Sequence, residues 1–237
     1  MSNKNTIINK IETKILYILK SFGLLFLLFF FQAIPLIFLN ININKLSNTN
    51  KIIYSLICDI LLILIFIFIY RKDLIRDYKN YFNKNFKKNI KLSLKYWAIG
   101  LIIMIITNLI IGIITNGALA SNEESVRELI DKSPLFMLFE LMIYAPITEE
   151  LIFRKSIKDI INDKKIYPII SGFIFGLLHI ISSTNNPLTL LYIIPYGSLG
   201  YIFAKLYKKT DNIFSSITIH SIHNTLTLIL YLILKTI

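Results

Sequence analysis

Cysteine occurs once in 237 residues, at Cys58, so no intrachain disulfide can form. Histidine occurs three times, at His179, His220 and His223, and never in a polar loop. Acidic residues are scarce, 14 against 26 Lys and Arg, which leaves a formal net charge of +12. No internal repeat is visible, which counts against transporter folds assembled from duplicated halves. The first apolar run is too long for the core of a secretory leader and lacks a small-x-small cleavage site, so it is expected to remain as a membrane span. The last residues carry no prenylation motif.

What is present is apolar surface. Hydrophobic residues make up 55% of the chain and mean hydropathy is +0.64, above an ordinary soluble domain. The excess is gathered into runs near the ~20 residues that cross a bilayer as helix. Seven such runs stand out: Ser21–Leu39, Ile52–Tyr70, Tyr96–Thr115, Pro134–Phe153, Ile166–Ile181, Pro187–Ala204 and Ile213–Leu234. The expected fold is all-α, a polytopic transmembrane helix bundle of about seven spans. It divides into an N-terminal region, 1–132, with three spans, and a core, 133–237, with four.

The basic charge is not spread evenly. Counted over successive loops, twenty Lys and Arg fall on one side of the bundle and five on the other, with Lys20 at the head of the first span. That alternation follows the positive-inside rule, and predicts a cytoplasmic N-terminus, an external C-terminus and a multi-pass protein of a cell membrane. The Ile, Asn and Lys richness reflects an AT-rich genome, and a prokaryotic membrane is expected. The loop 71–95 is basic and interleaved with Tyr78, Tyr81, Phe82 and Phe86. Leu74, Tyr78, Phe82 and Phe86 recur every four residues, the pattern of an amphipathic helix on a surface of anionic lipid. Nucleic acid is not expected as a partner. The opposite loop, 116–132, is acidic, and Ser121-Asn-Glu-Glu124 has the form of a capping box opening a short helix. Ser133-Pro134 supplies an N-cap and a first-turn proline for the fourth span.

Spans one to three hold few polar groups beyond Asp59 and Asn108, whereas spans four to seven collect titratable ones. Ionisable groups inside a bilayer are costly and are candidates for function. The fourth span ends in Ala145-Pro-Ile-Thr-Glu149-Glu150-Leu-Ile-Phe-Arg154. Glu150 and Arg154, four apart, share a helix face and can pair. Glu149 points about 100° from Glu150, so one carboxylate can be neutralised while the other faces the interior. Taken alone, these charges equally suit a helix end at the headgroups. Pro146 removes a backbone hydrogen bond and is expected to kink the helix or start a half-helix. Gly172 and Gly176 form a close-packing face, with Phe175 and His179 one turn apart. His220 and Asn224 share a face of the last span, and His223 lies off it. For Asp59 and Glu140, packing with a hydrogen bond is expected ahead of chemistry. Together the set supplies a base, a histidine partner and a donor pair, the inventory for activating water and stabilising an oxyanion.

These motifs, Glu149-Glu150-x-x-x-Arg154, Phe175-x-x-x-His179 and His220-x-x-x-Asn224, resemble those of the CAAX-protease and bacteriocin-processing family (CPBP, Abi) of intramembrane proteases. Tyr196-Gly-Ser-Leu-Gly200-Tyr and Lys209-Thr-Asp-Asn-Ile-Phe-Ser-Ser resemble its connecting segment, and the likeness covers about Pro134 to Leu234. Lys155 departs from the glycine many members carry after the arginine. The resemblance implies an intramembrane endopeptidase acting on a membrane-associated or lipidated peptide near the cytoplasmic side, in CAAX-type processing, bacteriocin processing or self-immunity. It implies Glu149 as general base, His179 holding the attacking water, Glu150 and Arg154 ordering the site, and His220 and Asn224 donating to the oxyanion. A glutamate-type mechanism without cofactor is expected, because Arg154 offsets the negative charge a cation requires; zinc is the alternative. Competing functions are a non-catalytic membrane immunity or binding protein and an ion-coupled transporter.

Overall fold

In the computed structural model, residues 2–83, 86–161, 163, 165–181 and 186–236 are described, the side chains from residue 9 onward. Lys84 and Lys164, counted above among the loop charges, lie outside them. Every regular element among the described residues is helical. The order is α1 (Ser2–Phe30), α2 (Ala33–Phe38), α3 (Asn48–Asn83), α4 (Phe86–Ile114), α5 (Ser121–Lys132), α6 (134–160), α7 (Ile166–Ile180), α8 (Ile193–Thr210) and α9 (Ile213–Thr236). Helical turns of the tighter three-residue kind precede α3 (Ile43–Lys45) and α8 (Pro187–Tyr192).

Among the described residues five helices are long and apolar enough to cross a membrane: α1 over Asn9–Phe30, α3, α4, α8 with its preceding turn, and α9. The other two expected spans differ in kind. At about 1.5 Å per residue, α7 is roughly 22 Å long, short of the ~30 Å hydrocarbon core. α6 is a composite rod, α-helical at Pro134–Phe139, Ala145–Glu149 and Ile157–Ile160 and π-helical at Glu140–Tyr144 and Glu150–Ser156.

Three boundaries depart from expectation. α1 ends at Phe30, not Leu39, because Pro35 has no N–H to return to the Phe31 carbonyl and its ring crowds the preceding turn. Gln32 fills the break, accepting from the Tyr54 hydroxyl through its carbonyl and donating to Asp59 through its amide at 2.9 Å. The basic loop is not a separate surface helix either. α3 runs on to Asn83, and Tyr78, Tyr81, Phe82 and Phe86 gather around Phe214 at the start of α9. Tyr81, off the fourfold series, is the buried member of this cluster, whereas Tyr78, Phe82 and Phe86 stay about half exposed. The capping box fails too: Ala120 is the N-cap of α5 and Ser121 is already helical. Pro134 does stand in the first turn of α6, after Ser133.

The tightest crossing joins α7 to α8. A Cβ on Gly172 would lie 2.7 Å from the Gly197 carbonyl oxygen, and one on Gly176 2.8 Å from the Gly197 nitrogen, so both must be glycine. At the basic end of the bundle, Lys155 bridges Asp159 (2.6 Å) and Asp73 (3.2 Å), Lys20 reaches Asp159, and Arg76 bridges Asp73 and Asp77. The departure at Lys155 thus has a structural employment, tying α6 to α3. Asp77, buried, accepts from the Ile213 amide at 3.0 Å and caps α9 from another helix.

Candidate active site

The carboxylates sit on α6 where its helix changes pitch, and Pro146 explains how. The Ala145 amide returns to the Glu140 carbonyl, five residues back, and Pro146 has no amide at all. The Leu141 and Met142 carbonyls are thereby released from the helix. Two side chains of α9 claim them: Asn224 Nδ2 donates to Leu141 at 3.1 Å and Ser221 Oγ to Met142 at 2.6 Å. In the second π segment, Ser171 of α7 donates to the Phe153 carbonyl at 2.6 Å. The rod is therefore not broken at Pro146. The expected half-helix is absent, and neighbouring helices satisfy the freed backbone, as apolar surroundings demand.

The rod also extends eleven residues beyond Glu149, about 16 Å at 1.5 Å per residue, so Glu149 lies well inside the bundle rather than one turn from its end. Glu149 and His179 line one cavity of about 170 Å³, together with Leu28, Phe29, Asn122, Phe153 and Leu178. Its walls come from the end of α1, the start of α5 and the end of α7, all at the end of the bundle carrying the acidic loop. A site near the basic, expected cytoplasmic, end is not what the fold places there. The cause is helix length, since His179 is the penultimate residue of α7.

His179 donates from Nδ1 to the Phe175 carbonyl at 2.8 Å, because a carbonyl can only accept. Its Nε2 is then left with a lone pair. The ring lies between Phe175, 4.3 Å away between centroids, and Tyr196, 4.7 Å away and nearly parallel at 26°. His220 is bracketed by both carboxylates. Its Nδ1 donates to Glu150 Oε1 at 2.9 Å, and its Nε2 lies 3.8 Å from Glu149 Oε2. Glu150 and Arg154 are fully buried, with Arg154 Nε 3.2 Å from Glu150 Oε2: within ion-pair distance but angled outside hydrogen-bond geometry. The Arg154 guanidinium rests on the face of Phe175, 4.4 Å from its centroid, with Phe203 beyond.

Glu149, Glu150, Arg154, His179 and His220 therefore converge, and Asn224 stands one turn along α9 from His220. One amide hydrogen of Asn224 holds Leu141, and the second is not required there. His223 is engaged elsewhere, accepting from Trp97 Nε1 of α4 at 3.3 Å. Asp59 and Glu140 are neighbours, and Asp59 accepts from Gln32. They are not among the cavity's lining residues. Sequence reasoning missed Leu28, Phe29, Asn122 and Tyr196. Only Tyr196, within Tyr196-Gly-Ser-Leu-Gly200-Tyr, carried any signal.

Among the described residues no group of three or more His, Cys, Asp and Glu side chains is arranged to hold a metal ion. Glu150 and the Nδ1 atom of His220 are engaged with each other, and Arg154 lies beside Glu150.

Residues 131–226 match the family described as type II CAAX prenyl endopeptidase Rce1-like. That segment of the chain is thus similar to this family of membrane proteases, the one its three motifs resemble. It is 29% identical over 150 residues to a Bacillus subtilis (strain 168) protein named "Putative membrane peptidase YdiL", covering 62% of this chain and 52% of that one. Two Lactococcus lactis subsp. lactis (strain IL1403) proteins are also similar. UPF0177 protein YxdF is 27% identical over 58% of this chain and 77% of its own length; UPF0177 protein YvdC is 26% identical over 61% and 58%. The alignments with YdiL and YvdC thus span only about half of those relatives. No solved structure matches.

Proposed function

We propose that the protein is a glutamate-type intramembrane endopeptidase cleaving a membrane-associated or lipidated peptide. The observation that carries this reading is Glu149 sharing one cavity with His179, whose Nε2 keeps a lone pair, while lying 3.8 Å from His220 Nε2. A water between Glu149 and His179 Nε2 loses a proton to Glu149 as its oxygen attacks the peptide carbonyl. The oxyanion so formed takes hydrogen bonds from His220 Nε2 and the free amide hydrogen of Asn224. For Nε2 to donate, the ring must carry both protons, and Glu150 then faces an imidazolium as its ion-pair partner. Collapse breaks the C–N bond, and Glu149 returns its proton to the leaving amine; the other product is a carboxylic acid, which ionises by giving up the second proton of the water. Arg154 acts behind the site, holding Glu150 against His220.

Hydrophobic walls at Leu28, Phe29, Phe153 and Leu178 suit an apolar peptide and few competing waters. The exposed Lys72, Lys79, Lys87, Lys88 and Lys91 at the opposite end suit anionic lipid, with the N-terminus in the cytoplasm. CAAX-type processing, bacteriocin processing and self-immunity are the contexts this chemistry serves.

The test is cleavage of a membrane-associated fluorogenic peptide library by the detergent-purified chain, with Glu149→Gln alongside and a chelator in parallel. Cleavage lost in the variant and kept under chelation is the expected result. Loss on chelation with rescue by zinc would overturn the metal-free mechanism. No cleavage of any peptide, with cell protection retained by Glu149→Gln, would replace the protease by an immunity or binding protein.

A further inference from the structure

The proposed chemistry needs His179 Nε2 aimed into the cavity, yet His179 stands in the last turn of α7, where a helix is least constrained. Its Nδ1–Phe175 bond lies within its own helix. A histidine ring turns about a broad, two-fold χ2 well, so a single hydrogen bond leaves latitude in the ring plane. A further restraint comes from α8, as the nearly parallel stack of Tyr196 on the imidazole. Gly197 follows Tyr196 directly and is the atom-level contact for Gly172 and Gly176, so the crossing that brings α8 close also carries Tyr196 onto the imidazole. The phenol has a neighbour in turn: Asn122, a residue of α5 that itself lines the cavity, stands near its hydroxyl. α5 is fastened at its other end, where Asp131 accepts from Tyr231 at 3.0 Å and pairs with Lys235, both on α9.

We propose that Tyr196 is the positioning residue of His179 and that Asn122, reaching in from α5, sets Tyr196. The loop helix is thereby part of the site's alignment, although it lies almost wholly outside the matched residues 131–226. The functional consequence rests on the protease reading; the positioning itself does not.

The chain has only three histidines, so the full-length protein labelled with 15N-histidine gives a spectrum assignable by His→Asn replacement. Wild type should show His179 as a single Nδ1–H tautomer. Tyr196→Leu should average or broaden that signal while His220, His223 and the unfolding temperature stay near wild type. In cleavage assays it should lower kcat about 10- to 100-fold with KM unchanged, as expected for a misoriented group. Tyr196→Phe and Asn122→Ala should each have the same smaller effect, and their double variant no more than either. An unmoved His179 signal in Tyr196→Leu overturns the proposal, as does additivity of Tyr196→Phe with Asn122→Ala. Should Tyr196→Leu not fold, that pair decides alone. A wild type that cleaves nothing refutes the protease reading and leaves the histidine spectrum to judge the positioning.

Discussion

α1 and α4 are long, regular helices whose most apolar stretches are only 11% buried within the protein, whereas α8 is 44% buried. The contrast extends to the backbone. The first four helices show none of the pitch changes of α6, and Gly23 and Gly112 have open space around them where Gly172 and Gly176 have none. The N-terminal helices spend their apolar surface on lipid and add cavity walls at Leu28 and Phe29. α6 to α9 hold one another through glycines, freed carbonyls and the buried contact of His220 with Glu150. Irregularity here marks where side chains are to be placed, and regularity marks where only a span is needed.

Substitutions can break or sharpen that contrast. The largest effect expected is Glu149→Gln in the cleavage assay, a loss of about 10²- to 10⁴-fold for a general base, with circular dichroism and unfolding temperature unchanged. Arg154→Met leaves the fully buried Glu150 beside His220 without its cation. A loss of about 3–5 kcal/mol is expected in reversible unfolding, the cost of breaking a buried pair from one side. Gly176→Leu drives a side chain into the Gly197 backbone and should approach or exceed the ~3 kcal/mol upper range of overpacking, whereas Gly112→Leu on the lipid face should be tolerated. Ser221→Ala orphans the Met142 carbonyl and should cost about 1 kcal/mol. In a Pro146→Ala background, where an amide can return to that carbonyl, the same change should cost less; equal costs would refute the link between the two. Phe26→Ala, on the exposed face of α1, should stay within about 0.5 kcal/mol of wild type.

Much of this was legible in the sequence for physical reasons. Apolar runs near bilayer length, glycines four apart and charges at helical spacing announce themselves without a partner. Hence the all-α fold, the α7–α8 face and the Glu150–Arg154 pair could be read directly. Where a run ends depended on contacts that pattern does not encode. Pro146 looked like a break, but its cost is met by Ser221 and Asn224, more than seventy residues away. The same distance hid the commitment of Asn224 to Leu141. Leu28, Phe29 and Asn122 carry ordinary residue types, and only the fold brings them to Glu149.

Asp77 caps α9 from a position translated long before Ile213 emerges. With Asn212 donating to the Asp77 carbonyl at 2.7 Å, the seat for the last helix is therefore built on the hairpin of α3 and α4 and waits in the membrane. A C-terminal fragment made alone would enter the bilayer with the start of its last helix uncapped and with Phe214 facing no aromatic neighbours. Co-expression of the two halves as separate chains should restore both, which makes order of synthesis a property written into one carboxylate.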